Sequence, residues 1–285
     1  MIKDIIKLIR VKHWIKNLLI YATMFLSMQI TGVNIYKLTI GFISFCLISS
    51  VVYIVNDIVD KEKDAKHEIK KNRPIASGRI STKFAIILAV SFFVIAMILN
   101  YFINGFDYKL YAILLGYLVL NLAYSFKLKN VVLIDVCCIV LGFILRLYYG
   151  AIISCISISD YLYLTVMFAS FFLGFGKRRN EIINLNDVAR PILKHYNKKF
   201  LDKNMYVALT LTVVFYSLWA ISQGGIMFLV SIPLLVLIFF KYSLIIESDS
   251  YGDPVDVLLS DKMLLVYVLI YVINIIAAFM IKMYA

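Results

Sequence analysis

The sequence predicts an all-α membrane protein: one bundle of nine transmembrane helices with a polar cap on the cytoplasmic side. Three observations carry this. Hydrophobic residues make up 62% of the chain and the mean hydropathy is +0.90, whereas an ordinary soluble domain is roughly 45–50% apolar. Nine runs of about 20 mostly apolar residues are each long enough to cross a ~30 Å hydrocarbon core as helices that satisfy their own backbone hydrogen bonds. The basic residues gather in alternate connections, following the bias of cytoplasmic loops toward Lys and Arg.

In chain order, residues 1–16 alternate apolar and basic side chains around Trp14. That pattern predicts an amphipathic helix in the membrane interface, not a cleaved signal, which needs a basic head, a short apolar core and a cleavage site. The spans are predicted near 17–33, 36–58, 83–104, 108–125, 131–153, 159–176, 204–222, 225–246 and 262–283. Pro74 and Gly78 punctuate a turn between the second and third. No room is left for a soluble domain, so residues 1–285 read as a single domain. Cys46, Cys137, Cys138 and Cys155 lie in or beside spans without metal-ligand spacing and read as small apolar packing residues.

The formal charge of +12 marks orientation and not a nucleic-acid partner. With the N-terminus in the cytoplasm, all of the 29 Lys and Arg fall on that side except Lys37, Lys109, Arg146 and Lys282. The C-terminus then faces outward.

The most informative segment is Asn56-Asp57-Ile58-Val59-Asp60-Lys61-Glu62-Lys63-Asp64, where the second span ends. On a helix turning about 100° per residue, Asp57, Asp60 and Asp64 fall within a sector of about 60°. Such a column of hard oxygens repels itself unless a cation joins it. Magnesium suits the task, because it is held by one or two carboxylates and shared with substrate phosphates. The segment therefore reads as a metal–diphosphate site, against the alternative of a solvated helix end.

The other ionisable residues fall in cytoplasmic segments that a soluble anionic substrate can reach. Arg10, Lys16 and Asn17 surround an interfacial Trp. Arg73, whose guanidinium is able to fork onto phosphate oxygens, follows the acidic motif. His67 reads as a polar loop residue more than a ligand. Tyr124, Lys127 and Lys129 fit a phosphate site, although orientation alone also accounts for two lysines. Asp135 and Arg146 are charges within an apolar span, where charge is costly and either functional or paired. They are eleven residues and about 16 Å apart along a helix, too far to pair directly, so Arg146 needs another acidic or phosphate partner. The sixth span closes with Gly176-Lys177-Arg178-Arg179-Asn180-Glu181, three bases before one acid, which favours phosphate over a second metal.

The N-D-x-x-D-x-x-x-D pattern from Asn56 to Asp64, combined with nine spans, resembles the UbiA superfamily of intramembrane prenyltransferases. Within it, the chain is similar to the decaprenyl-phosphate phosphoribosyltransferases, also called phosphoribose-lipid synthases. The similarity runs through Arg10 to Asn17, Val52-Tyr53 to Asp64, Asn72 to Gly78, Leu122-Ala123-Tyr124, Leu128-Lys129, Gly176-Lys177-Arg178, Asp253-Pro254-Val255-Asp256 and Asp261. Two departures from the superfamily pattern stand out. A second motif, D-x-x-x-D, usually follows the sixth span, where this chain has the basic run at Lys177. The usual Y-x-x-x-K of the third loop has Leu128 in the fourth place after Tyr124, with Lys127 and Lys129 on either side, so either lysine is a candidate.

The resemblance implies a UbiA-like bundle that transfers a 5-phosphoribosyl group from phosphoribosyl diphosphate to a decaprenyl-like polyprenyl phosphate, for cell-envelope glycan precursors. It further implies a bacterial cytoplasmic membrane, possession of Mg2+ as cofactor and a homo-oligomer, a trimer in the family. Asp57, Asp60 and Asp64 would hold the magnesium, with Asn56 orienting them. Arg73, Tyr124, Lys127 and Lys129 would bind donor phosphates, and Lys177 and Arg178 the lipid phosphate or the donor's 5-phosphate. Arg10, Lys16 and Asn17 would guard the interface, and Asp135, Arg146 and Glu181 complete the expected substrate-binding set. The alternatives are transfer of a prenyl group from a prenyl diphosphate to an aromatic or lipid acceptor and, in another class, transport of anionic lipids along Asp135 and Arg146.

Overall fold

The computed structural model describes residues 1–27, 32–66, 70–184, 191–248 and 253–284, and every regular element among them is helical. Among the described residues, seven helices are long and apolar enough to cross a membrane: α3 (Gly32–Val59), α5 (Thr82–Asn104), α6 (Tyr108–Phe126), α7 (Ile134–Ser154), α9 (Lys198–Gln223), α10 (Ile226–Glu247) and α12 (Lys262–Tyr284). The chain is a multi-pass membrane protein, as the composition requires. Side chains set the helix ends. Ser81, Asp107 and Asn197 accept from the N–H groups of Phe84, Lys109 and Phe200 at 3.2, 2.9 and 2.7 Å, which caps α5, α6 and α9. Gly105 and Gly224, at φ 68° and 73°, close α5 and α9 in a backbone region that a side chain would strain.

The N-terminal region departs from the expected helix followed by a first span. α1 covers only Ile2–Ile9 and ends where Arg10 turns left-handed at φ 52°. Val11–Tyr21 is wound as a 3-10 helix, and α2 (Ala22–Ser27) follows. Residues 17–27 are thus not one α-helical span. A 3-10 winding eclipses side chains three apart, and this lines up Trp14, Asn17 and Ile20. Trp14 Nε1 donates to Ser50 Oγ at 3.1 Å, and Asn17 Nδ2 lies 3.1 Å from Cys46 Sγ and 3.3 Å from Ser49 Oγ, all on α3. A Cβ on Gly150 would sit 2.0 Å from the Ile20 carbonyl oxygen, so the segment's backbone lies directly on a glycine of α7. The predicted sixth span falls in α8 (Asp160–Asn184), whose last turns carry Lys177, Arg178, Arg179 and Glu181. His67 lies outside the described residues.

The chain divides into two compact units. The first comprises Met1–Lys129 and Leu145–Ser157, the second Asn130–Ile144 and Ile158–Ala285, so α7 contributes to both. In the first unit, Ile20, Leu38, Phe45, Ile48, Leu114 and Tyr149 are fully enclosed in one core. A smaller core joins Leu8 and Ile9 of α1 to Ile54, Ile75 and Ile80, while Ile2, Lys3, Ile6 and Lys7 stay exposed. The core of the second unit gathers Val136, Phe172, Leu201, Met205 and Ile246, with Val257 from α11 (Pro254–Ser260). All four cysteines are free thiols.

Candidate active site

The acidic motif lies in the first unit, at the junction of α3 with the short α4 (Lys61–Ala65). The two helices are divided at Asp60, but i to i−4 bonds continue across: Asp60 N–H to Asn56 O at 2.9 Å and Asp64 N–H to Asp60 O at 2.8 Å. The three carboxylates therefore stay close in register. Asp57 and Asp64 are each only 3% exposed. Arg73 Nη1 bridges them, 3.2 Å from Asp57 Oδ1 and 2.6 Å from Asp64 Oδ2, and Arg10 Nη2 reaches the same Asp57 oxygen at 2.8 Å. Asp60 leans toward Lys129 Nζ at 3.5 Å.

Backbone conformation aims these cations. The left-handed Arg10 swings its guanidinium over the Tyr53 ring, 4.6 Å from its centre, and onto Asp57. Arg73 follows a 3-10 turn at Lys70–Asn72, and Ser77 N–H returns to its carbonyl at 2.9 Å. Gly78 at φ 74° and the enclosed Ile75 hold this turn against the first unit's smaller core. Of the two candidate lysines, the 3-10 turn Leu128–Asn130 directs Lys129 to Asp60, whereas Lys127 caps α6 and is exposed. Tyr124 and Lys16 are half-buried.

No three Asp, Glu, His or Cys side chains among the described residues stand ready as a metal-binding group. The donors nevertheless fit a magnesium ion shared with phosphate. They are hard oxygens held at a buried junction, and Asn56 Oδ1 is enclosed there with no hydrogen-bond partner. The ion pairs occupy the carboxylates that a metal would take.

Arg146, expected to need an acidic or phosphate partner, donates from Nε to Asn17 Oδ1 at 2.7 Å and from Nη2 to Tyr117 Oη at 2.8 Å. Its guanidinium also lies over the rings of Phe45 and Tyr117, 5.2 and 4.7 Å from their centres. Neutral amide, hydroxyl and aromatic groups thus stand against the charge. Asn17 is itself fully buried, which removes it from the interface role expected for it.

The second unit holds a charged cluster of its own. Arg178 and Asp135 are both 0% exposed. Arg178 Nε meets Asp135 Oδ2 at 2.5 Å and its Nη1 meets Glu181 Oε2 at 2.5 Å. Tyr196 Oη donates to Asp135 Oδ1 at 2.7 Å and accepts from Leu133 N–H at 2.7 Å. Burial, then the bond to the Asp135 carboxylate, pushes the Tyr196 hydroxyl above its ordinary value. Arg178, Asp135 and Glu181, expected to bind substrate, are here paired with one another, and freeing Arg178 would strip the fully buried Asp135 of a cationic partner, which is strongly unfavourable. They are internal ties between α7, α8 and the segment at Tyr196. Lys177 differs: it is partly exposed and meets Asp253 Oδ2 at 3.2 Å, while Asp253 Oδ1 caps α11 through Val255 N–H at 3.0 Å. Sequence reasoning missed Tyr117 and Tyr196, because nothing in their flanking residues sets them apart among 20 tyrosines.

The model of the UbiA prenyltransferase family matches residues 18–267. A decaprenyl-phosphate phosphoribosyltransferase of Corynebacterium glutamicum is 30% identical over 286 residues, 96% of this chain and 86% of that protein. Its namesake in Mycobacterium tuberculosis is 28% identical over 290 residues, 98% of this chain and 95% of that protein. Among solved structures, a UbiA homolog from Archaeoglobus fulgidus bound to GPP and Mg2+ superposes with a TM-score of 0.72 at 20% identity, covering 99% of this chain and 100% of that one. A digeranylgeranylglyceryl phosphate synthase superposes with a TM-score of 0.65 at 19% identity, covering 98% of each chain. At these identities the structural likeness establishes the fold, an all-helical UbiA bundle. The acidic junction of α3 and α4 lies within the matched residues, and this chain belongs to the UbiA prenyltransferase family of membrane transferases.

Proposed function

We propose that this enzyme transfers the 5-phosphoribosyl group of phosphoribosyl diphosphate to a polyprenyl phosphate and releases diphosphate. One observation carries the choice of donor. Glu181, the acid at the place of the superfamily's second acidic motif, is held by Arg178, which also binds Asp135. That favours a donor bound through one metal–diphosphate centre and basic residues over a prenyl diphosphate held between two acidic motifs. The nearly full-length likeness to two proteins named for the phosphoribosyl reaction supports the same choice.

Asp57, Asp60 and Asp64, with Asn56, would hold a magnesium ion whose chemistry is to neutralise the diphosphate as it leaves. Arg10, Arg73 and Lys129 bind diphosphate oxygens and stabilise the charge that develops on them. Lys177 binds phosphate in the second unit. The donor's C1–O bond breaks with its electron pair leaving on diphosphate, and an oxygen of the lipid phosphate forms the new C1–O bond. That oxygen is already ionised, so no general base is needed. Attack opposite the leaving group inverts the anomeric carbon. We place the acidic junction and the N-terminus on the cytoplasmic side of a bacterial membrane, with nine spans and an outward C-terminus, on the distribution of Lys and Arg.

Incubating the purified protein with magnesium, a polyprenyl phosphate and sugar-labelled phosphoribosyl diphosphate tests this. Label should enter the lipid fraction with inverted configuration and fail to do so in Asp57→Asn. A second reading, prenyl transfer, is favoured by the fold shared with a relative bound to GPP and Mg2+. Turnover of a prenyl diphosphate with no sugar transfer would establish it instead.

A further inference from the structure

Among the described residues, each acid of the junction already has a base beside it: Asp57, Asp60 and Asp64 face Arg10, Arg73 and Lys129. Adding a divalent cation alone would add two positive charges beside Asp57 and Asp64, which are almost fully enclosed, a costly state at low dielectric. Adding the cation together with a diphosphate monoester brings three negative charges with it and leaves one negative charge, much nearer to balance. The geometry makes the same point. Arg73 Nη1 sits between Asp57 Oδ1 and Asp64 Oδ2, in the place a bridging cation would occupy. A guanidinium leaving those oxygens needs another anion, and its fork matches phosphate.

We propose that Arg73, assisted by Arg10, is an internal counter-cation that the metal–diphosphate complex displaces as a unit: the carboxylates pass from guanidinium to metal while the guanidiniums pass from carboxylate to diphosphate. The junction therefore binds free divalent cation weakly and binds it tightly once a diphosphate is present. This rests on the metal–diphosphate reading above but not on the identity of the group that the diphosphate carries. Between turnovers the Arg73 side chain keeps Asp57 and Asp64 together.

The test is Mn2+ binding to the purified full-length protein in detergent, followed by electron paramagnetic resonance, with and without methylenebisphosphonate as a non-cleavable diphosphate. In the wild type, the bisphosphonate should tighten Mn2+ binding by at least about tenfold, within the usual range of coupling between sites. In Arg73→Met, Mn2+ alone should bind about tenfold tighter than in the wild type, and the gain from bisphosphonate should shrink by a similar factor. Mn2+ alone should also raise the thermal midpoint of that variant and leave the wild type unmoved. Arg73→Lys keeps the charge but bridges the two carboxylates less well and should fall between them, which covers failure of the Met variant to fold. Equal Mn2+ affinity with and without bisphosphonate in the wild type, or no tightening in either Arg73 variant, overturns the proposal. Intact coupling without phosphoribosyl transfer overturns only the assigned donor. No Mn2+ binding under either condition overturns both.

Discussion

Replacing Arg178 separates a substrate-binding role from an internal one. The side chain is completely enclosed and divides its guanidinium between Asp135, also completely enclosed, and Glu181, each at 2.5 Å. Arg178→Met keeps most of the volume but leaves the Asp135 charge with only the Tyr196 hydroxyl among the partners described above. Breaking a buried pair from one side costs about 3–5 kcal/mol, or about two to four decades in the unfolding equilibrium. Asp135→Asn in the same chain removes the stranded charge and retains an acceptor for Tyr196, so the double variant should regain about half of the loss. The assay is reversible unfolding in mixed micelles, with the four-member cycle giving the coupling energy. An Arg178→Met protein as stable as the wild type but unable to bind polyprenyl phosphate would refute the reasoning and return Arg178 to the substrate site.

Three further outcomes are expected. Gly150→Ala places a Cβ 2.0 Å from the Ile20 carbonyl oxygen, and because the obstacle is backbone it should cost about 1–3 kcal/mol in the same unfolding assay. Tyr196→Phe strands one oxygen of Asp135 and the Leu133 N–H, for a loss of about 1–3 kcal/mol. The folded Tyr196 hydroxyl titrates above its unfolded value, so the wild-type advantage over this variant is complete below about pH 10 and declines as pH rises further; an advantage that grows in alkali would contradict the assigned bonds. Lys177→Ala opens a partly exposed pair and should change stability by only about 0–1 kcal/mol. It should raise the KM for lipid phosphate roughly tenfold, the loss of one charge-assisted bond, with kcat nearly kept.

The long apolar runs were legible because hydrophobic length and flanking polar residues suffice to place a span, and α5, α6 and α12 lie within a few residues of their predicted limits. The acidic motif was legible for a related reason: Asp57, Asp60 and Asp64 recur at helical spacing where the apolar run stops. What occupies those carboxylates was not legible. Pairing Arg73 with Asp57 needs the turn through Gly78, and bringing Arg10 to Asp57 needs a left-handed residue 47 positions away. The pairing of Arg178 was not legible either, since a basic residue after an apolar span reads the same whether it faces phosphate or an enclosed aspartate. The 3-10 winding at Val11–Tyr21 was hidden because hydropathy measures how apolar a segment is and not how tightly it is wound.

That winding constrains how the N-terminal region is able to vary between related proteins. With three residues per turn, deleting one residue between Val11 and Asn17 rotates one side of the cut against the other by about 120°. Trp14 and Asn17 could then no longer face α3 together, and the Asn17 amide oxygen would turn away from Arg146. Removing three residues would restore the facing row but shorten the segment by about 6 Å. Point changes at the outward Lys12 and Leu18 carry no such penalty. Drift in this stretch should therefore proceed by substitution on the outer rows at constant length, with any change of length arriving in whole turns.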